Sequence, residues 1–248
     1  MAGRLQPLLA KSGCAGFGPF MALLREDTSG LWLSELANRI TTNHTSFFRE
    51  TPHFDFLARE ALPALERQKR GEGSNDLRVW CAASATGEEA YSLVISLMRH
   101  FGAGYARWRA GVLATDISDA ALAQARVGIY PPAALRSLSA EQRSWFSPLP
   151  GGDYLVSDAV RREVTFRRFN MIAPAYPFRE PFDIVFCRNV MIYFDEPVRE
   201  ALVARLHQWI KPGGFLFVGH SETLRQRGWP FLCRCPAVYQ RKPTEQRP

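Results

Sequence analysis

Two adjacent carboxylates, Glu88 and Glu89, stand where a strand pattern gives way to a helix pattern in residues 77–92, LRVWCAASATGEEAYS. The apolar residues Leu77, Val79 and Trp80 run into the small residues Ala82, Ala83, Ser84 and Ala85, the chain turns at Gly87, and a helix restarts at Glu88. Strand, small-residue turn and helix make the opening unit of a doubly wound sheet, whose ligand crevice lies at the strand's carboxyl end. Small residues there let a ligand approach the backbone closely. A phosphate loop would carry a Gly-rich turn and a Lys. Acids at this position favour a helix N-terminus, would repel a pyrophosphate and suit a ligand carrying positive charge. A nucleoside with a sulfonium and an amino-acid tail, S-adenosylmethionine, answers that description; so does a plain turn with ordinary N-terminal acids and no ligand. A third carboxylate, Asp116, ends an apolar stretch about 30 residues later, where this architecture puts the acid that accepts ribose hydroxyls. The alternative is an acid in the loop before a helix cap.

The fold class these residues imply is α/β, a doubly wound, mostly parallel Rossmann-like sheet with a small N-terminal helical domain and an inserted antiparallel β subdomain. Residues 1–70 read as the helical domain: two short helices within 4–24 around a break at 12–18, a helix over 34–40, the irregular stretch TTNHTSFFRE at 41–50, and a helix from Thr51-Pro52, with Pro in the first turn. Residues 69–76 (KRGEGSND) read as the linker into a sheet domain spanning 71–248. There the pattern predicts a helix over 88–101, a strand over 108–115, a Ser118-capped helix over 119–127, and an inserted antiparallel β unit at about 128–168, with strands over 153–156 and 163–169. The run PFDIVFC at 181–187 reads as a central parallel strand. A helix over 197–209, a tight turn at Lys211-Pro212-Gly213-Gly214, a strand over 215–218, a closing strand pair within 231–239 and a disordered tail from 241 complete the reading.

The 248 residues carry a net charge of +7, which suits an acidic partner. No dense Lys/Arg tract with stacking aromatics points to nucleic acid. No apolar run approaches the ~18–20 residues of a membrane span, and no export signal is read at the start. The five cysteines, with Cys81 and Cys187 in apolar runs, read as reduced thiols. Together these point to a cytoplasmic protein. His44, His53, His100, His207 and His220 show no metal-ligand spacing, and Cys233-Arg234-Cys235 is neither a zinc nor a redox motif, so no metal is expected.

Six blocks in order, TTNHTSFFRE, VWCAASATGEEAYS, LATDIS, VTFRRFNMI, FDIVFCRNVMIYF and IKPGGFLFVGHSE, resemble the chemotaxis receptor methyltransferases of the CheR type. The resemblance runs from about Ala22 to Lys242; KPGG is generic, whereas FFRE before a GEE turn with CRNVMIYF downstream is specific. It implies an enzyme that uses S-adenosylmethionine, leaves S-adenosylhomocysteine, and forms methyl esters on glutamates of a chemoreceptor or related acidic signalling protein. Residue by residue, it assigns Asn43, Thr45 and Arg49 to the methionine end, Glu88 to the GEE turn and Asp116 to the ribose. It assigns Asn170 and Met171 to the adenine, Cys187 and Arg188 to a further cofactor contact, and Tyr193 to the neighbourhood of the transferring methyl. Such chemistry needs no general base, because a glutamate acceptor, pKa ~4.3, is already ionised at neutral pH. Compared with that family, the N-terminal helical domain reads as shortened. A different carboxylate acceptor, or a cofactor-binding module without transfer, are the alternatives.

Overall fold

The computed structural model describes residues 2–40, 45–222, 224 and 231–242. Asn43, His44 and the tail from 243 lie outside the described residues. Helices α1 (Ala2–Ser12), α2 (Phe17–Glu26) and α3 (Leu31–Ile40) pack on one another, with Phe20 buried against the edge of Trp32. Next come α4 (Thr51–Phe56) and α5 (Leu62–Gly71), joined without a break by a π-helical turn, Leu57–Ala61. The amide of Leu62 donates back to the Leu57 carbonyl, and Pro63 follows it. A proline lacks the N–H that would continue the ordinary ladder, and such gaps are where π turns settle.

The rest of the chain runs β1 (Val79–Ala82), α6 (Glu88–Phe101), β2 (Val112–Asp116), α7 (Asp119–Val127), β3 (Ile129–Tyr130), α8 (Ala140–Arg143), β4 (Phe146–Pro148), β5 (Tyr154–Val156), α9 (Asp158–Arg161), β6 (Val164–Arg168), β7 (Phe182–Cys187), α10 (Glu196–Gln208), β8 (Ile210–Val218), β9 (Phe231–Cys235) and β10 (Val238–Arg241). The main sheet has the order β6-β2-β1-β7-β8-β10-β9. Its first five strands are parallel, and β10 and β9 close it antiparallel. Strand alternation divides the core. Val79, Cys81, Ile184, Phe186, Phe215 and Phe217 pack on the α6 side. Trp80, Ala82, Val185, Cys187, Leu216 and Val218 pack on the α10 side. Every residue of β1 and β7 is buried, as central parallel strands require. Strand order reverses between β1 and β7, so the crevice at their carboxyl ends is the switch point where such sheets take ligands.

The predicted fold class stands, with corrections inside it. The inserted antiparallel sheet is smaller than 128–168: its three strands, in the order β3-β5-β4, end at Val156. The second strand assigned to it is β6, which pairs in parallel with β2 at the edge of the main sheet. An edge strand covered on one face alternates apolar and polar residues as an antiparallel strand does, which is why the pattern misled. Trp108 lies outside β2 and stacks on Phe101 at 4.4 Å. The Lys211–Gly214 segment is an irregular part of β8, not a separate turn. Lys69, read as linker, is a buried helical residue paired with Asp183 at 2.7 Å. Arg241, read as the start of the tail, donates from β10 to the carbonyls of His207 and Ile210.

Candidate active site

The turn after β1 is wound tightly: Ala83 and Ala85 both have left-handed backbone, at φ 61° and 47°, and Gly87 follows at φ 99°. Left-handed alanines cost on the order of 1–2 kcal/mol each, so surrounding contacts must hold the turn. Asp116 at the end of β2 supplies one: its Oδ2 accepts from the Ala85 amide at 2.8 Å and its Oδ1 from the Ser118 amide at 2.9 Å. Tyr130 supplies another, its hydroxyl donating to the Thr86 carbonyl at 2.6 Å. A Cβ on Gly87 would stand 2.9 Å from the Ala125 Cβ and 3.0 Å from that hydroxyl, so glycine is required there on two counts. Burial holds the Asp116 carboxyl above its ordinary value, partly offset by the amides that it accepts from.

The two acids of the GEE turn part company. Glu88 is buried in the turn and accepts from the Thr86 hydroxyl at 2.6 Å. Glu89 points the other way, to Arg188 at 2.8 Å, and also accepts from the Cys81 thiol. Burial raises the Glu89 carboxyl above the usual range, with the Arg188 guanidinium pulling it back. The expectation that both carboxylates face a cationic ligand is thus corrected: the charge of Glu89 is answered internally.

Arg188, just past β7, has its guanidinium bound on three sides. It meets Glu89, the Arg49 carbonyl at 2.6 Å and Glu50 at 2.9 Å, and lies over the rings of Phe54 and Phe186. This clamp draws the FFRE loop onto the sheet, where Phe48 and Glu50 take left-handed backbone on either side of Arg49. The Phe48 amide donates to Ser92 Oγ, which itself donates to the Glu88 carbonyl, tying that loop to the first turn of α6. Phe47 packs edge-on to Tyr130 and Phe146, beneath the same turn.

The other predicted residues fall around this crevice in differing states. Thr45 and Arg49 are half-buried. Asn170 is exposed just past β6, its Oδ1 accepting from the Ile172 amide, and Met171 beside it is buried. The end of β6 is held next to Asp116, because the Phe169 amide donates to the Asp116 carbonyl. The Cys187 side chain is fully buried in the α10-side core, which pushes its thiol up, so only its backbone can face a ligand. Tyr193 ends a short 3-10 turn, Met191–Tyr193, with 60% of its surface exposed.

Sequence reasoning missed the groups that hold the lip. Glu222, buried, accepts from the amides of Gly219, Asn189, Met191 and Ile192, and so fixes the loop that carries Tyr193. Asn189, at φ 57°, donates from Nδ2 to Glu50. The available signal was an acid directly after the apolar strand, in the GHSE block. The fold also brings His53 to His220, ring centroids 4.6 Å apart, with Glu50 alongside. Burial and Arg188 push the His53 imidazole down to about 4.

The family description "CheR methyltransferase, SAM binding domain" matches residues 43–236 of this chain. The chain belongs to the CheR methyltransferase family. It is 36% identical to a chemotaxis protein methyltransferase of Borreliella burgdorferi over 90% of this chain and 79% of that one. It is 38% identical to those of Salmonella typhimurium and Escherichia coli, each over 95% of this chain and 80% of the relative.

As a CheR methyltransferase the chain uses S-adenosylmethionine, and the crevice suits that group. Asp116 accepts backbone amides from Ala85 and Ser118, and a carboxylate offers about four acceptor positions, so it keeps capacity for a ligand hydroxyl. Among the described residues, no helix is long and apolar enough to cross a membrane.

Proposed function

We propose that this chain transfers methyl groups from S-adenosylmethionine to glutamate side chains of an acidic, chemoreceptor-like signalling protein in the cytoplasm. The observation that carries the reading is the set of carboxyl-end groups at one switch point: buried Asp116 and Glu88, the strained turn between them, and an exposed Tyr193 on a clamped loop. Asp116 takes the ribose hydroxyls, and Glu88 lies at the turn beside them. Asn170 and Met171 flank the adenine, and Thr45 and Arg49 receive the methionine end together with Asn43. The planar fork of Arg49 suits the ligand's carboxylate. Cys187 contributes backbone, and Arg188 acts through Glu50, Glu89 and the Arg49 carbonyl, as a positioning residue for the FFRE loop.

Bound in this crevice, S-adenosylmethionine would supply an electrophilic sulfonium methyl for an acceptor carboxylate, its sulfur keeping the C–S electron pair. The chain's own task is alignment and exclusion of water from the acceptor. Tyr193 orients the incoming carboxylate from the lip. No proton moves, so no general base is required. The net charge of +7 favours an acidic partner. We assign residues 1–70 to a helical unit whose α3 docks at the carboxyl end of β2, at the start of α7. Support comes from α3, where Ser118 Oγ donates to Asn38 and Ser34 Oγ to Asp119 at the start of α7.

The test is transfer of labelled methyl to protein in a lysate of a chemotactic bacterium. Label released as methanol at mild alkaline pH identifies an ester. Label that withstands alkali, as methylamines and methylated bases do, would refute the carboxylate acceptor.

A further inference from the structure

We propose that Glu50, His53 and His220 form a binding site for one divalent transition-metal ion of the zinc, nickel or copper class. One ligand atom from each of the three residues lies within 4.8 Å of the others. The arrangement is tertiary: Glu50 and His53 come from the entry to α4, and His220 from the loop after β8.

His53 is the decisive residue. It is 1% exposed, and neither ring nitrogen makes a well-formed hydrogen bond, its polar neighbours being the Pro236 backbone and Glu50. Its Nδ1 stands 3.3 Å from Glu50 Oε2. A buried imidazole is ordinarily hydrogen-bonded, and leaving one without a good partner is unfavourable. A metal ion would satisfy it.

Access and charge are in place. A cavity of about 580 Å³ is lined by His53 and His220 together with Asp55, Arg59, Glu60 and Cys235. His220 is exposed, so an ion can enter from solvent. Glu50 is paired with Arg188 at 2.9 Å, and the cavity wall carries two carboxylates, Asp55 and Glu60, against one guanidinium, Arg59, so its balance favours a cation. Two imidazoles and one carboxylate favour zinc, nickel and copper, whereas magnesium and calcium prefer all-oxygen sets. The site does not depend on the transfer reaction, and its test is a binding measurement.

The full chain, stripped with chelator, is titrated with zinc against a chromophoric chelator, alongside His220→Ala, His53→Gln and a Cys233→Ser/Cys235→Ser double variant. The expected result is one zinc per chain, weakened at least roughly tenfold by either histidine change, retained in the cysteine variant, and not competed by millimolar magnesium. The exposed His220 can be changed without entering the core, so the experiment stands even if His53→Gln fails to fold. Absence of stoichiometric zinc, binding unchanged in His220→Ala, binding lost only in the cysteine variant, or displacement by magnesium would each overturn the proposal.

Discussion

Replacing Asp116 with Ala separates the energetics of the fold from those of the site. The carboxylate accepts amides from Ala85 and Ser118, yet burial raises its pKa above the ordinary 3.8. A raised acid adds stability below its unfolded pKa and loses it as pH rises through the folded value. At neutral pH the buried charge is therefore a cost, which opposes the benefit of the two hydrogen bonds. The two effects partly cancel, so Asp116→Ala should keep its fold and change the melting temperature only modestly. The ligand loses more. Two charge-assisted bonds to ribose hydroxyls are worth ~1.5–3 kcal/mol each. If water entering the vacated space recovers about half, some 1.5–3 kcal/mol remains, or roughly 10–100-fold in affinity. Titration calorimetry with S-adenosylhomocysteine measures this, with circular dichroism as the check on folding. Parent affinity should also weaken as pH falls toward the raised Asp116 value, because protonation removes acceptors, while the variant shows no such slope. An unchanged dissociation constant in a folded variant would refute the ribose assignment.

Other substitutions probe the turn, the lip and the chemistry. Gly87→Ala forces a side chain into φ 99° and against Ala125 and Tyr130; it should cost about 2–4 kcal/mol, read as a lower melting temperature together with weakened cofactor binding. Glu222→Gln replaces an acceptor of four amides with a group that has one acceptor oxygen and two N–H donors. It should lower stability by about 2–4 kcal/mol and slow single-turnover transfer; a variant with parent stability and rate would show the clamp to be dispensable. Tyr193→Phe should reduce turnover with little effect on cofactor affinity, and Arg49→Ala should do the reverse. In the parent, transfer at saturating cofactor should be nearly flat between about pH 6.5 and 8.5, and a steep slope near neutrality would reveal a titrating base.

Local rules carried far in this chain because many of its signals are short-range. Ser118 caps α7 over the predicted residues, its hydroxyl accepting from the Ala121 amide. The run FDIVFC is a fully buried strand, and Asp116 ends its strand beside the GEE turn, as apolar patterning and acid placement implied. Those features depend on neighbours a few residues away. What needed the tertiary structure is everything decided by which strand lies next to which. Glu88 and Glu89 are adjacent in sequence, but only Arg188, delivered by β7, turns one inward and leaves the other at the crevice. Strand β6 reads like part of a hairpin until its parallel pairing with β2 is seen. Lys69 reads as linker until β7 brings Asp183 to it. Glu222 and His220 follow β8 in one short block, and only the sheet register sets one beneath the Tyr193 loop and the other against His53. Periodicity encodes the face a residue presents, whereas the partner it meets there depends on chain crossings that no local pattern records.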